Sequence, residues 1–322
     1  MTKQQLYPPY TVGVDMGGTN TAFAIVDSVG HILAKDSFPT ATASAEVWAD
    51  TLSRKISCMI ADSAFEGEIE GVGIGAPCAN SVTGCVEAAT DLPWPSPIPL
   101  ASMIESRLGI PTVIANDANA TAIGEMTYGA AVGMRNFIVL TLGTGVGSGI
   151  VCDGHLLSGA RGFAGELGHV TFPFASDRLC GCGRRGCLQT VAAAKGIRET
   201  ARRLLEESDR ESALRDIPES ERSPLAIEQA ARSGDPLAQE VYAFTGECLG
   251  KAAAEFAAFS DPEAIILFGG IARAGELLLK PMREAFVANS LHLYRDRVRF
   301  LCSALDDAEA AILGAASLPY MH

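Results

Sequence analysis

The sequence predicts an α/β protein of two lobes built on one plan. Two stretches support this prediction, one beginning at Val12 and the other at Ile138. Each reads as a β-branched strand, a glycine turn, a second strand, a tight polar turn and a third strand. When the stretches are aligned, Gly17-Gly18 falls on Gly143-Thr144. Similarity at an offset of about 125 residues indicates internal duplication, and a chain of 322 residues is long enough for two lobes.

The composition is that of a soluble globular protein with an acidic surface. Hydrophobic residues make up 48% of the chain and charged residues 20%, and the formal net charge is −13. No run of Lys or Arg offsets that charge, which disfavours nucleic acid as a partner. The N-terminal stretch MTKQQLYPPY lacks the apolar region of a signal peptide, and Ser260–Pro262 interrupts the most apolar segment. We therefore expect a cytoplasmic protein with no membrane partner.

The two aligned glycine turns have two interpretations. Such a turn can simply close a hairpin that needs positive φ. It can also let backbone N–H groups approach phosphate oxygens that a side chain would block. The pair, with Asp15 beside one turn and Thr144 in the other, favours phosphate binding, and an acid near phosphate suits Mg²⁺ held through water. Neither the GxxxxGK[ST] loop nor the Rossmann fingerprint is present.

A third glycine turn follows the apolar strand Ile265–Phe268. Gly269-Gly270 stands between that strand and an expected helix start. A helix N-terminus behind two glycines can seat a nucleotide, although the same pattern also serves as a plain strand-to-helix turn.

Asn116-Asp117 directly follows the apolar strand Thr112–Ala115. A pair at this point can be only a helix N-cap. Alternatively, Asp117 is a general base for phosphoryl transfer to a hydroxyl, with Asn116 anchoring a neighbouring hydroxyl.

The stretch CGCGRRGCLQ places three cysteines in the pattern C-x-C-x₄-C. Three thiolates and one histidine make a tetrahedral zinc site, and His169 is the nearest candidate for the fourth ligand, with His155 as its competitor. A disulfide or unreactive surface thiols are the alternatives, but the cytosol disfavours disulfides. With four protein ligands, the site is expected to be structural. Glu166 in GELGH suits vicinal sugar hydroxyls, or is a solvated surface acid.

Taken together, these motifs resemble the ROK family of sugar kinases, in order and spacing, from about Val12 to Gly314. The bacterial glucokinases of that family are the nearest likeness. The motifs are DMGGT (15–19), ND (116–117), LGTGVGSG (142–149), GELGH (165–169), CGCGRRGCLQ (180–189) and FGG (268–270).

The resemblance implies a two-lobed actin-like ATPase (ribonuclease H-like) fold with duplicated domains and a structural zinc loop. It implies ATP-dependent phosphorylation of glucose to glucose 6-phosphate, with ATP, Mg²⁺ and Zn²⁺ as cofactors and a homodimer as the assembly. Asp117 is then the catalytic base, and the sugar contacts are Asn116, Glu166, His169 and Gln189. The implied nucleotide and Mg²⁺ contacts are Asp15, Gly17, Gly18, Thr19, Gly143, Thr144, Gly145, Gly269 and Gly270. The implied zinc ligands are His169, Cys180, Cys182 and Cys187.

The sequence departs from the family pattern on the sugar side. Gln189 stands where the family usually has Glu, and the other departures are Cys78, Asp91, Ala193 and Ala194. A glutamine lacks the charge of a carboxylate, but it can donate to an acetamido carbonyl. Glucose is therefore the leading substrate, with N-acetylmannosamine, allose or fructose as alternatives. A sugar-sensing repressor is disfavoured, because only about ten residues precede Val12, too few for a helix-turn-helix.

The expected domain boundaries follow from the two copies. The first lobe covers 1–117 and is closed by a final alanine-rich helix within 306–322, and the second lobe covers 118–305. We expect the polar run 206–224 to be a solvated helix and connector without chemistry.

Overall fold

In the computed structural model the described residues are 10–62, 68–87, 92–306 and 309–321, so Asp91 lies outside them. They form two compact units. The first is drawn from Met1–Gly133, His155–Ala164 and Ala304–His322, and the second from Met134–Gly154 and Gly165–Ser303. The first unit thus extends beyond the boundary expected at residue 117.

Strands and helices alternate along much of the chain. The strands are β1 (Tyr10–Met16), β2 (Asn20–Asp27), β3 (Ile32–Pro39), β4 (Ile69–Gly75), β5 (Ala79–Asn80), β6 (Cys85–Val86), β7 (Thr112–Ala115), β8 (Phe137–Leu142), β9 (Val146–Cys152), β10 (His155–Leu156), β11 (Ala264–Phe268) and β12 (Arg299–Cys302). The helices are α1 (Ala45–Asp62), α2 (Leu100–Leu108), α3 (Asp117–Tyr128), α4 (Gln189–Ala192), α5 (Ala194–Glu207), α6 (Pro224–Arg232), α7 (Pro236–Ser260), α8 (Glu276–Asn289) and α9 (Ala310–Ser317). Among the described helices, none is both long and apolar enough to span a bilayer.

The first unit is built on a sheet with the order β3-β2-β1-β4-β7. β1 pairs antiparallel with β2, as the predicted hairpin requires, whereas β4 and β7 run parallel to β1. The helix α9 packs on this sheet at van der Waals distance because glycines face it. A Cβ on Gly13 would lie 2.1 Å from the Ile312 carbonyl oxygen, and one on Gly73 would lie 1.8 Å from that of Ala315.

The second unit repeats this plan. β8 pairs antiparallel with β9 and parallel with β11, which in turn runs parallel to β12. The predicted duplication is therefore confirmed, although the third strand of the motif has eight residues in the first copy and two in the second. Because the carboxyl ends of parallel strands meet at one edge of a sheet, each unit gathers its glycine turns and polar residues at such an edge.

Candidate functional site

The first glycine turn joins β1 to β2. The Gly17 amide donates to the Asn20 carbonyl at 3.0 Å, and the Thr40 amide donates to the Thr19 carbonyl at 2.9 Å. The Thr40 hydroxyl donates to the Gly17 carbonyl at 2.7 Å. Carbonyls of the turn are thus held from behind, while Gly18 and Thr19 themselves are exposed. This leaves backbone N–H groups open to a ligand.

Asn116 and Asp117 lie where β7 passes into α3. Asn116 is the N-cap, since its Oδ1 accepts from the Asn119 amide at 2.7 Å. The Asp117 carboxylate accepts from the Ala118 amide at 2.9 Å, and its side chain is exposed. The N-cap interpretation is therefore correct for Asn116, and it leaves the Asp117 carboxylate accessible for chemistry.

Asp15 and Asp117 bring two carboxylates to the same edge of the first sheet. Asp15 lies near the end of β1, opposite Gly75 of β4, and Asp117 follows β7 on the other side of β4. Burial raises the pKa of Asp15 above its usual value, and the charge of Asp117 raises it further, against a smaller opposite effect of Lys35. Two acids that repel one another in a partly buried place favour a bound cation or proton between them.

The second glycine turn joins β8 to β9, and the third follows β11. Residues Gly143–Gly145 are exposed, and the Gly143 amide donates to the Gly145 carbonyl at 3.1 Å. A Cβ on Gly143 or on Gly270 would meet no atom within 4 Å, whereas one on Gly269, which has a φ of +97°, would lie 2.6 Å from the Leu142 carbonyl oxygen. Packing therefore requires glycine at 269 but not at 143 or 270. The helix expected after the third turn is first a 3₁₀ helix, Gly270–Ala274, before α8 begins.

The GELGH segment is a tight turn against β9, with Leu167–His169 in a 3₁₀ helix. A Cβ on Gly168 would lie 2.1 Å from the Val146 carbonyl oxygen, so this glycine permits the approach. The buried Ser148 hydroxyl donates to the Gly165 carbonyl and accepts from the Leu167 amide at 3.1 Å. Our sequence reasoning missed Ser148, for which a serine set between glycines on a buried strand is the only signal. Glu166 is exposed.

The four residues expected to bind zinc lie together. The metal-ligating atoms of His169, Cys180, Cys182 and Cys187 are all within 4.8 Å of one another. His169 Nδ1 lies 3.7 Å from Cys180 Sγ, and the sulfurs of Cys182 and Cys187 are also 3.7 Å apart. Ligand atoms held about 2.3 Å from one tetrahedral ion are separated by about 3.8 Å. The cluster therefore has the spacing of a metal site, and His155 is not part of it.

The chemistry of the thiols agrees with that spacing. All nine cysteines are free, so the disulfide alternative does not apply. Against the effect of burial, hydrogen bonds from the backbone and thiol of Cys182 and from the Gln189 amide lower the pKa of Cys180 to about 6. Burial, followed by the neighbouring thiols, raises the pKa of Cys187 to about 12. A divalent ion would stabilise both thiolates.

Gln189 and Arg178 connect the metal cluster to its surroundings. Gln189 Nε2 donates to Cys180 Sγ at 3.0 Å, and its Oε1 would lie 3.4 Å from a Cβ on Gly145. The buried Arg178 guanidinium donates to the carbonyls of Thr190 and Gly196 and to the Thr200 hydroxyl. Sequence reasoning assigned no role to Arg178, because its partners become neighbours only in the fold. These contacts fix the cysteine loop to the start of α5.

Comparison with known proteins settles the family. The sequence profile of the ROK family matches residues 11–320. The chain belongs to the ROK family. The resemblance inferred from the motifs is thereby confirmed, and the fold is the actin-like ATPase fold of ROK sugar kinases.

Individual ROK relatives cover nearly the whole chain. A glucokinase from Halalkalibacterium halodurans is 35% identical over 311 residues, which are 94% of this chain and 92% of that protein. The structure of a ROK family glucokinase from Streptomyces griseus in complex with glucose and AMPPNP has a TM-score of 0.75 and 32% identity, and the match covers 97% of this chain and 100% of that one. An N-acetylmannosamine kinase from Salmonella paratyphi A is 32% identical over 199 residues, 60% of this chain and 64% of that protein.

Proposed function

We propose that this chain transfers the γ-phosphoryl group of ATP to the 6-hydroxyl of a hexose, with glucose as the leading substrate. Sugar kinase activity is the activity of its ROK relatives named glucokinase. The observation that carries the proposal is the exposed Asp117 carboxylate at the same sheet edge as Asp15 and the open first glycine turn. That combination supplies a proton acceptor and a phosphate-binding backbone.

The proposed reaction is a direct displacement. The Asp117 carboxylate takes the proton of the sugar 6-hydroxyl, and the oxygen forms a bond to the γ-phosphorus while the bond from that phosphorus to the β-bridging oxygen breaks. ADP leaves with the electron pair. Exposed amides at Gly18, Gly143 and Gly270 suit the phosphate oxygens, since no Cβ stands in front of them.

Two metals fit the residues present. Asp15 has the character of an Mg²⁺-side acid, because its raised pKa reports a partly buried carboxylate next to a second one. Mg²⁺ would neutralise charge on the transferring phosphate. The cluster of His169 and three cysteines fits Zn²⁺ by donor type and by the 3.7 Å separations. With four protein ligands, that zinc would be structural and would hold GELGH against the start of α4.

The proposed sugar contacts are Asn116, Glu166, His169 and Gln189. Glu166 is free to accept from hydroxyls at the surface, and His169 turns Nδ1 toward the cysteines, which leaves Nε2 for another partner. Gln189 can donate as well as accept, so an N-acetylated hexose such as N-acetylmannosamine is the second candidate substrate.

The test is ADP release in a coupled assay with ATP and six sugars: glucose, mannose, fructose, allose, N-acetylglucosamine and N-acetylmannosamine. We expect glucose to have the highest kcat/KM. A wide lead of another hexose would correct the substrate and keep the chemistry. Absence of turnover with all six, in protein that retains zinc, would overturn the proposed function.

A further inference from the structure

A cavity of about 740 Å³ lies within the second unit, beside the cysteine loop. Its walls come from Asp177–Gly181, from the start and outer face of α5, and from the connector that includes Glu219 and Arg222. Seven basic side chains and three acidic ones line it. In a chain with a net charge of −13, such an excess of positive charge in one concave place is notable.

Two of the three acids are already neutralised. Arg203 forms ion pairs with Asp177 and Glu199, and Arg202 pairs with Glu199 as well. These contacts account for two of the seven cations and form the floor of a network along α5. They leave the remaining basic groups without equivalent partners.

The other exposed cations of the cavity contact neutral groups. Arg185 donates to the Asp177 carbonyl, Arg198 donates to the Glu219 carbonyl at 3.4 Å, and Arg222 donates to the carbonyls of Leu214 and Ile217. Within the described part of the chain, neither these three nor Lys195 has a carboxylate at ion-pair distance. Cations gathered without carboxylates are suited to an external anion.

The backbone adds to this charge. α5 begins at Ala194 with no acidic residue in its first turn and no side-chain cap. The positive end of this helix dipole therefore faces the cavity wall that carries Lys195 and Arg198. The Ala194 amide donates to the Gly143 carbonyl at 2.9 Å, and Thr144 lines the cavity. The cationic wall thus continues from the second glycine turn.

We propose that this cavity binds a chain of phosphate groups that runs from Thr144 along α5 past Lys195 and Arg198. The inference deepens the donor side of the proposed function and rests on it for the role of the glycine turn. The oligophosphate can belong to a nucleoside triphosphate or can be free inorganic oligophosphate. Several phosphates in a row match several unpaired cations in a row, which a sugar or an apolar ligand does not.

The experiment is isothermal titration calorimetry of the full chain with sodium tripolyphosphate and, separately, with ATP, in the absence of sugar. The test variant is the double substitution Lys195→Gln and Arg198→Gln, both on exposed side chains. The matched control is Arg297→Gln, which removes an exposed cation of the same unit outside the cavity. Thermal unfolding confirms that each variant is folded.

We expect tripolyphosphate to bind, to bind at least about tenfold more weakly to the double variant, and to bind the control within about twofold of the parent. Competition between tripolyphosphate and ATP would identify the oligophosphate as that of the nucleotide, and independent binding would identify a free oligophosphate. Either result supports the cavity, provided that the double variant weakens it. No binding of either compound, or binding that the double variant leaves unchanged, overturns the proposal. Because no sugar or turnover is involved, loss of the proposed kinase activity leaves this readout intact.

Discussion

The side-chain amide of Gln189 donates a hydrogen bond to Cys180 Sγ at 3.0 Å. The residue expected to contact the sugar therefore also contacts the metal cluster, and its donor atom faces a thiol whose pKa is lowered to about 6. A glutamate at this position could not donate, and its charge would be repelled by the thiolates. The amide thus ties the chemistry of position 189 to that of the cluster.

Gln189→Glu should shift sugar preference toward glucose. A carboxylate turned away from the thiolates accepts from hydroxyls more strongly than an amide, and it cannot donate to an acetamido carbonyl. We expect the ratio of kcat/KM for glucose to that for N-acetylmannosamine to rise by about fivefold. Gln229→Glu makes the same charge change at an exposed position on α6 and should leave the ratio unchanged. An unchanged ratio in both variants would remove Gln189 from the sugar contacts.

Cys182→Ser should remove the metal. The parent is expected to retain roughly one zinc per chain after dialysis, and loss of one thiolate ligand should reduce this severalfold and lower the Tm. Metal content is measured on protein dialysed without chelator. Cys58→Ser, on the exposed face of α1, is the control and should keep its zinc. Equal zinc content in the two variants would contradict a metal site at the cluster.

Asp117→Asn should abolish proton transfer without disturbing binding. We expect kcat to fall by about 10²–10⁴-fold, because the amide cannot accept the hydroxyl proton, while the KM for the sugar stays within about threefold. Asp296→Asn, an exposed substitution in the second unit, should be silent. Retention of more than half of the parent kcat would show that another group is the base.

Asp15→Asn should stabilise the fold at neutral pH while it impairs catalysis. Burial and then Asp117 raise the pKa of Asp15, so the folded state binds its proton more tightly than the unfolded state does. That favourable contribution is complete below the unfolded pKa of 3.8 and is lost as the pH rises through the raised folded value. At pH 7 the parent carries the cost of the ionised carboxylate, and the variant does not.

Denaturant unfolding of both proteins at pH 7 and at pH 3.5 measures this difference. The stability gain of Asp15→Asn should be present at pH 7 and small at pH 3.5. It should also be smaller in an Asp117→Asn background, because the repulsion between the two carboxylates is already gone. A variant less stable than the parent at pH 7 would contradict the cause assigned to the pKa shift.

Local patterns account for what the sequence predicted well. The duplicated hairpins follow from β-branched runs around glycine turns, and the metal cluster follows from cysteine spacing, because both depend on residues near each other in the chain. Contacts between distant segments were not predictable. Ser148 beneath GELGH and Arg178 against Thr200 are examples. The run 206–224, expected to be a solvated helix and connector, instead contains the short 3₁₀ helices Ala213–Arg215 and Glu219–Glu221.

The positive charge along α5 was missed for a related reason. Arginines in a polar run are usually solvated, and the sequence does not show that Arg198 and Arg222 line one cavity with residues of the cysteine loop. Only the fold distinguishes cations paired with Glu199 from those that face neutral carbonyls.

Glycine-to-alanine substitutions should separate glycines needed by packing from those needed by a ligand. Gly143→Ala adds a Cβ that meets no atom within 4 Å, so we expect a Tm within about 2 °C of the parent. The same Cβ would stand before the phosphate oxygens, and the KM for ATP should rise by about tenfold while the KM for the sugar changes little.

Gly13→Ala is the contrasting variant, because its Cβ would lie 2.1 Å from the Ile312 carbonyl oxygen under α9. We expect it to lower the free energy of unfolding by about 1–3 kcal/mol, with the KM for ATP unchanged in the folded fraction. The two variants are compared by thermal unfolding and by initial rates at varied ATP. If Gly143→Ala leaves the KM for ATP at the parent value, the exposed turn between β8 and β9 is a hairpin and not a phosphate loop.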